Sequence, residues 1–188
     1  VADAPGGPVA YVALSGSNEV AKVDLTARAV VARVDVGRDP RALAFDGSRL
    51  FAASLLSSNS TPQGLKQVQP VPVELQRDVA IIDVASFEVV DWIHAVGTIL
   101  RGLWFDPDNP EVLVVARSHS NNDKSGIEAD SNPHSHGLTL VDIREGSPSL
   151  YETVGEVDLD DQPSSLGHAA SPFTMMALPG GALGFVGR

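Results

Sequence analysis

Tyr11-Val12-Ala13-Leu14, then Val20-Ala21-Lys22-Val23-Asp24, then Val34-Asp35-Val36-Gly37-Arg38-Asp39-Pro40-Arg41, and then Asp46-Gly47: these four pieces, in this order, decide how the chain folds. Short apolar or β-branched runs are separated by polar turn residues, which is the pattern of short strands rather than helices. The second run closes on Asp, and that ending returns, because Val79 to Asp83 and Leu138 to Asp142 repeat Val20 to Asp24. Positions 24, 83 and 142 differ by 59 each time. Upstream of each Asp lies another apolar run, at Ala10 to Leu14, Leu50 to Ser54 and Val112 to Ala116, and a fourth stands at Leu183 to Gly187.

Downstream of the Asp, the β-branched segments Val30 to Val36 and Val89 to Val96 both end in Val-Gly, at Val36-Gly37 and Val96-Gly97. A segment with an Arg and a terminal Asp follows: Pro40-Arg41-Ala42-Leu43-Ala44-Phe45-Asp46, and later Arg101-Gly102-Leu103-Trp104-Phe105-Asp106. It leads into Asp46-Gly47, Asp106-Pro107-Asp108 or Pro179-Gly180-Gly181, where Gly and Pro supply the dihedrals of a tight hairpin. Each unit therefore holds four short strands. A four-stranded sheet of that size cannot bury both faces until neighbours stack on it, so repeated units of this kind read as the blades of an all-β propeller. On the pieces quoted above, the chain resembles the YVTN family of β-propeller repeat proteins, over essentially its whole length outside the insertions. The first unit is the nearest match, whereas the third has Leu159 to Pro172 in place of Val-Gly-x-x-Pro.

Strands run from inner A to outer D. Blade II is 41 to 46, 49 to 54, 79 to 84 and 88 to 94; blade III is 101 to 106, 111 to 117, 138 to 143 and 150 to 158. Blade I contributes B to D over 9–36, and blade IV contributes A and B over 172–187. Two blades are complete and two are partial. The partial ones cannot merge, since both contain a B strand, and propellers close with four to eight blades. The expectation is an incomplete propeller, part of a larger protein or a nicked chain, whose remaining blades come from another polypeptide.

Composition narrows the partners. Hydrophobic residues make up 43% and aromatics 5%, with 17 Gly and 13 Pro, which suits strands and turns. The net charge of −11 repels polyanions, so nucleic acid is not expected as a partner. No run of about 18 apolar residues stands ready to cross a membrane, so no membrane insertion is expected. With no Cys, the chain holds no disulfide, thiolate site or Cys nucleophile. The G-x-S-x-G elbow, the phosphate-binding Gly loop and the EF-hand order are all missing.

In antiparallel four-stranded blades the B-to-C and D-to-A connections leave at one end. The long insertions, 55–78, 117–137 and 158–172, are all connections of those two kinds, which predicts a loop-rich functional face. Four of the five His fall there, His119, His134, His136 and His168. Imidazole is a common metal ligand, and His134-x-His136 in extended chain puts both rings on one side, so these four are candidate ligands for copper or another divalent metal. Soluble loops also carry His with no such role, and His94, beside Trp92, reads as structural. Arg41 and Arg101 open inner strands, where they are candidate contacts for an acidic ligand; ion pairing with neighbouring-blade carboxylates is the alternative. Asp24, Asp83 and Asp142 read as turn formers.

Three functions of different class stay open. One is a binding or scaffold module using its loop-rich face to dock a protein partner, with a role accessory to a redox system as one form of it; the YVTN resemblance implies a periplasmic or secreted bacterial setting for it. Another is a copper-type redox enzyme with a His-lined site at the channel mouth. A lactone-hydrolysing or sugar-oxidising propeller is a third.

Overall fold

A computed structural model describes residues 2–4, 7–56, 76–119, 137–158, 172–177 and 183–187. Its strands, in chain order, are β1 (Ala2–Ala4), β2 (Gly7–Leu14), β3 (Glu19–Asp24), β4 (Ala29–Asp35), β5 (Arg38–Phe45), β6 (Arg49–Leu56), β7 (Val79–Asp83), β8 (Glu88–Ile93), β9 (Thr98–Phe105), β10 (Val112–His119), β11 (Gly137–Asp142), β12 (Thr153–Asp158), β13 (Pro172–Ala177) and β14 (Leu183–Gly187). They form three four-stranded sheets, β1 to β4, β5 to β8 and β9 to β12, and one two-stranded sheet of β13 and β14. Every pairing is antiparallel and joins consecutive strands. No helix among the described residues is long and apolar enough to cross a membrane.

The middle strands explain the apolar runs of the sequence. Leu50, Phe51, Ala52 and Ala53 of β6 and Val79 to Ile82 of β7 are all buried, so both faces of this sheet are covered. Alternation sorts the side chains: Phe51, Ala53, Val79 and Ile81 meet Leu113, Val115, Val141 and Ile143 of the next sheet, while Leu50, Ala52, Ala80 and Ile82 meet Val20 of the preceding one. A strand buried on both faces reads as continuous apolar sequence. The inner strands β5, β9 and β13 approach one another across blades more closely than the outer strands β4 and β8 do. The sheets are wedged around an inner edge.

The recurring Asp residues make the turns expected of them. Asp24 Oδ1 accepts the Thr26 and Ala27 N–H groups, both at 2.8 Å, and Asp83 Oδ2 accepts Ser86 N–H at 2.7 Å. Backbone repeats with sequence here: Arg28, Phe87 and Tyr151, each just ahead of an outer strand, share a left-handed φ of 55°, 56° and 66°. Asp142 does more. It accepts Ser147 Oγ at 2.6 Å, Ser149 Oγ at 2.7 Å and the Arg144 N–H at 2.9 Å. The Ser147 and Ser149 hydroxyls, then Arg144, hold its carboxyl well below the usual range.

Some strand limits differ from those expected. The inner strands begin earlier, at Arg38 and Thr98 instead of 41 and 101, because each carries an irregularity that keeps the extra residues in the ladder. The outer strand expected from 150 begins at Thr153, since Tyr151 N–H turns back to Asp142 O at 2.7 Å. The first unit, read as strands B to D, carries in addition Ala2–Ala4 beside β2, too short at 3 residues for periodicity to register.

At the short-turn end Arg49 joins two blades. Its Nε donates to Asp46 Oδ2 at 2.7 Å, Nη1 to Glu145 Oε1 at 2.6 Å and Tyr151 OH at 3.2 Å, and Nη2 to Ile143 O at 2.9 Å. Burial works against the Asp46 carboxylate, but the N–H groups of Arg49 and Ser48 and the Arg49 side chain bring its pKa below the ordinary value.

Two outcomes test this architecture. Phe51→Ala, in the sandwich between blades, should cost about 3–5 kcal/mol in denaturant unfolding, whereas Val90→Ala on an outer strand, 59% exposed, should stay within about 0.5 kcal/mol. Because Asp142 is depressed in the folded state, its contribution is complete above the unfolded carboxylate pKa of about 3.9 and is lost as pH falls below it. Wild-type stability should therefore drop more steeply than that of Asp142→Asn between about pH 5 and about pH 2; parallel curves would contradict the assignment.

Candidate functional site

Strand direction puts one end of every blade to the same use. β6 ends at Leu56 and β7 begins at Val79; β10 ends at His119 and β11 begins at Gly137; β12 ends at Asp158 and β13 begins at Pro172. The link between β4 and β5 and the link between β8 and β9 lie at this same end. All three long connections thus leave one face, and the opposite turns, such as 46–48, are short.

Beneath that face lies a belt of buried polar groups centred on the link 94–97. Gln76 Oε1 accepts Ala95 N–H at 3.1 Å, and its carbonyl contacts His94 Nδ1 at 2.8 Å. Asp78 Oδ2 accepts Val96 N–H at 3.3 Å, while the Val96 carbonyl accepts Thr139 Oγ from the next blade at 2.9 Å. Thr139 in turn accepts from Arg117 Nη1, which also donates to Glu156 Oε1 at 3.0 Å. Hydrogen bonds therefore run without a break from blade II to the outer strand of blade III. Arg77 stacks its guanidinium 4.9 Å from the Trp92 ring centroid. This belt orients loop bases, since its groups are committed to backbone and to one another.

The Val-Gly pairs find two different physical reasons at this face. A Cβ on Gly37 would meet Ser54 Oγ at 1.8 Å and Arg77 O at 2.7 Å, so only glycine fits. Gly97 instead has a φ of 116°, which side chains avoid.

Of the residues singled out in the sequence, Arg41 lies on β5 and Arg101 on β9, at the loop-bearing ends of adjacent inner strands. Among the described residues Arg41 meets Asp39 of its own strand: its Nε lies 2.9 Å from Asp39 Oδ1, a charge contact without hydrogen-bond geometry, and its Nη2 donates to Asp39 Oδ2 at 3.2 Å. Arg101 is half-buried. His119 ends β10, its backbone opposite Thr98, and its side chain falls outside the described residues. His134, His136 and His168 lie outside them altogether, so the metal expectation rests on residues not described. Among the described residues no group of three or more His, Asp or Glu is placed to hold a metal ion. The structure brings the two Arg onto neighbouring inner strands, and it adds Gln76, Asp78, Arg117 and Thr139. The only sequence signal for the first three is a polar residue abutting a run buried on both faces.

The chain is similar to hydrazine synthase of Kuenenia stuttgartiensis, with a TM-score of 0.59 and 22% identity over 94% of this chain and 46% of that one. The fold is a β-propeller. The dihydro-heme d1 dehydrogenase NirN in complex with DHE matches with a TM-score of 0.49 and 18% identity, over 96% of this chain and 29% of that one. The Pan2 WD40 domain of Neurospora crassa matches with a TM-score of 0.47 and 8% identity, over 88% of this chain and 40% of that one. The chain spans less than half the length of each. No protein-family model matches it, and no curated protein does.

The close approach at Gly37 is open to test. Gly37→Ala should cost about 1–3 kcal/mol. Ser54→Ala alone should be neutral or stabilising by up to about 1 kcal/mol, because Ser54 Oγ is buried without a partner among the described residues. Combining them should recover part of the Gly37→Ala loss, the 2.7 Å contact with Arg77 O remaining. Strict additivity in a double-mutant cycle would show that Ser54 and Gly37 do not meet.

Proposed function

We propose that this propeller is an extracytoplasmic binding or scaffold module that docks a protein partner through its loop-rich face, beside a redox system. One observation carries the reading: the three long connections, through 57–75, 120–136 and 159–171, all rise from the same end of rigid blades, and turns at the other end stay short. Recognition groups concentrate on long loops held by a rigid scaffold. The polar belt supports the same reading, because Gln76, Asp78 and Thr139 tie the bases of two of those loops to the link 94–97. The sequence resemblance to YVTN repeats supports a periplasmic or secreted bacterial setting, and the likeness to hydrazine synthase supports work alongside a redox enzyme. Propellers function as closed rings, so the reading includes further blades, contributed by another polypeptide or another segment.

The test is selective removal of a loop. Replacing 57–75 by a short Gly-Ser linker should change Tm by no more than about 2–4 °C and abolish co-purification of the partner from the native cell extract. Substitutions in the short turn 46–48 should leave that co-purification intact. Equal retention by both variants would remove the loop face from the function.

A further inference from the structure

Pro40 and Ala42 of β5 pair with Ser54 and Ala53 of β6, so Arg41 is passed over in the ladder. The next blade repeats this. Leu100 and Gly102 of β9 pair with Arg117 and Ala116 of β10, and Arg101 is passed over. In β13 the residues paired are Pro172 and Thr174, with Phe173 passed over. The inner strand of each of these sheets therefore carries a bulge at its loop-bearing end.

Part of the reason is packing. Leu100 and Leu103 belong to the same buried cluster between blades II and III, although a regular strand would set residues three apart on opposite faces. One extra residue brings both to the same side, and that residue joins neither core. Packing requires a bulge, but it does not require arginine. Blades II and III both place Arg there, in a chain whose net charge is −11, and β5 and β9 together carry three Arg against one Asp.

The backbone beside each bulge is also held away from its ordinary state. Asp39 and Ile99, two residues before the respective Arg, have a φ of 53° and 55°. For β-branched Ile99 that is a costly conformation, of the sort that persists where function demands it. Asp39 is pinned by its own N–H, which donates to Asn18 Oδ1 of blade I at 2.9 Å. Asp39 then holds Arg41 by a charge contact at Nε and a hydrogen bond from Nη2, one of the five donors of its fork, while the side chain stays 52% exposed. Arg41 is thus oriented, not merely displayed.

We propose that Arg41 and Arg101 form an anion-binding station at the loop-bearing end of the inner strands, for a small molecule carrying two carboxylates, one to each guanidinium. A planar fork matches a carboxylate in bidentate fashion, and two forks on adjacent blades match two acid groups on one ligand. The station depends on the bulges alone, and not on the scaffold reading.

The probe is succinate, titrated calorimetrically into the full chain at low salt, with acetate and phosphate as comparisons. Succinate should bind one per chain and at least about tenfold more tightly than acetate or phosphate, each charge-assisted contact being worth about a factor of ten or more. Arg41→Gln and Arg101→Gln should each weaken succinate about tenfold or more, with Tm confirming the fold. Arg101→Lys, which keeps the charge and loses the fork, should weaken it by less, and covers the case in which Arg101→Gln lowers stability. Unchanged succinate affinity in Arg41→Gln/Arg101→Gln would overturn the station, and so would acetate or phosphate equalling succinate. Deletion of 57–75 should leave succinate affinity unchanged, which separates failure of the station from failure of loop docking.

Discussion

The middle strands of blades II and III are buried on both faces, and the rest of the described structure follows from that constraint. The cluster between blades II and III takes Phe51, Ala53, Val79 and Ile81 from one sheet and Leu113, Val115, Val141 and Ile143 from the other. Neither sheet keeps water off its own core. The stabilising contacts are therefore made between blades, and each four-stranded sheet owes its stability to its neighbours. Antiparallel order then leaves no choice about the loops: once the blades stack in parallel array, like connections emerge at like ends.

Apolar packing sets how close two blades come but not how they slide, because dispersion and burial are non-directional. Polar groups supply direction at both ends of the sandwich. At the short-turn end Arg49 reaches from blade II to the Ile143 carbonyl, Glu145 and Tyr151 of blade III. At the loop-bearing end Val96 is held by Asp78 of one blade through its N–H and by Thr139 of the next through its carbonyl. These bonds lie on either side of the buried apolar layer and pin the same pair of sheets at two distant points. A loop rooted at Gln76 and Asp78 thereby inherits a fixed relation to one ending at Gly137.

Features that repeat in one dimension were legible in the sequence. The Asp turn, the Val-Gly pair and the run buried on both faces each leave a periodic trace, so the four-stranded units and the shared face of the insertions could be read directly. The bulges could not, because pairing register belongs to two strands at once, and Pro40-Arg41-Ala42 looks the same whether or not Arg41 has a partner. The earlier starts of β5 and β9 were hidden for the same reason. Arg41 and Arg101 were found by repetition, but what makes them alike is the bulge and the left-handed residue before it. The polar belt left little trace, since Gln76, Asp78 and Arg117 fall within the stretches read as insertions, yet all three are buried.

Net charge and local charge lead to different conclusions about anions, and the two are compatible. The total of −11 acts on anything large enough to face much of the surface at once, so on average it opposes a polyanion. A small anion samples one place. At physiological ionic strength the screening length is about 8 Å, so remote carboxylates weigh little against guanidinium groups in direct contact. Of the other described Arg residues, Arg49 ties two blades and Arg117 is buried against Thr139 and Glu156. On the bulged inner edge the Arg41 side chain is 52% exposed and Arg101 is half-buried. The same irregularity that lets Leu100 and Leu103 share one core thus sets an Arg at the loop-bearing end of the inner strand, so that packing and the proposed anion station meet in a single extra residue.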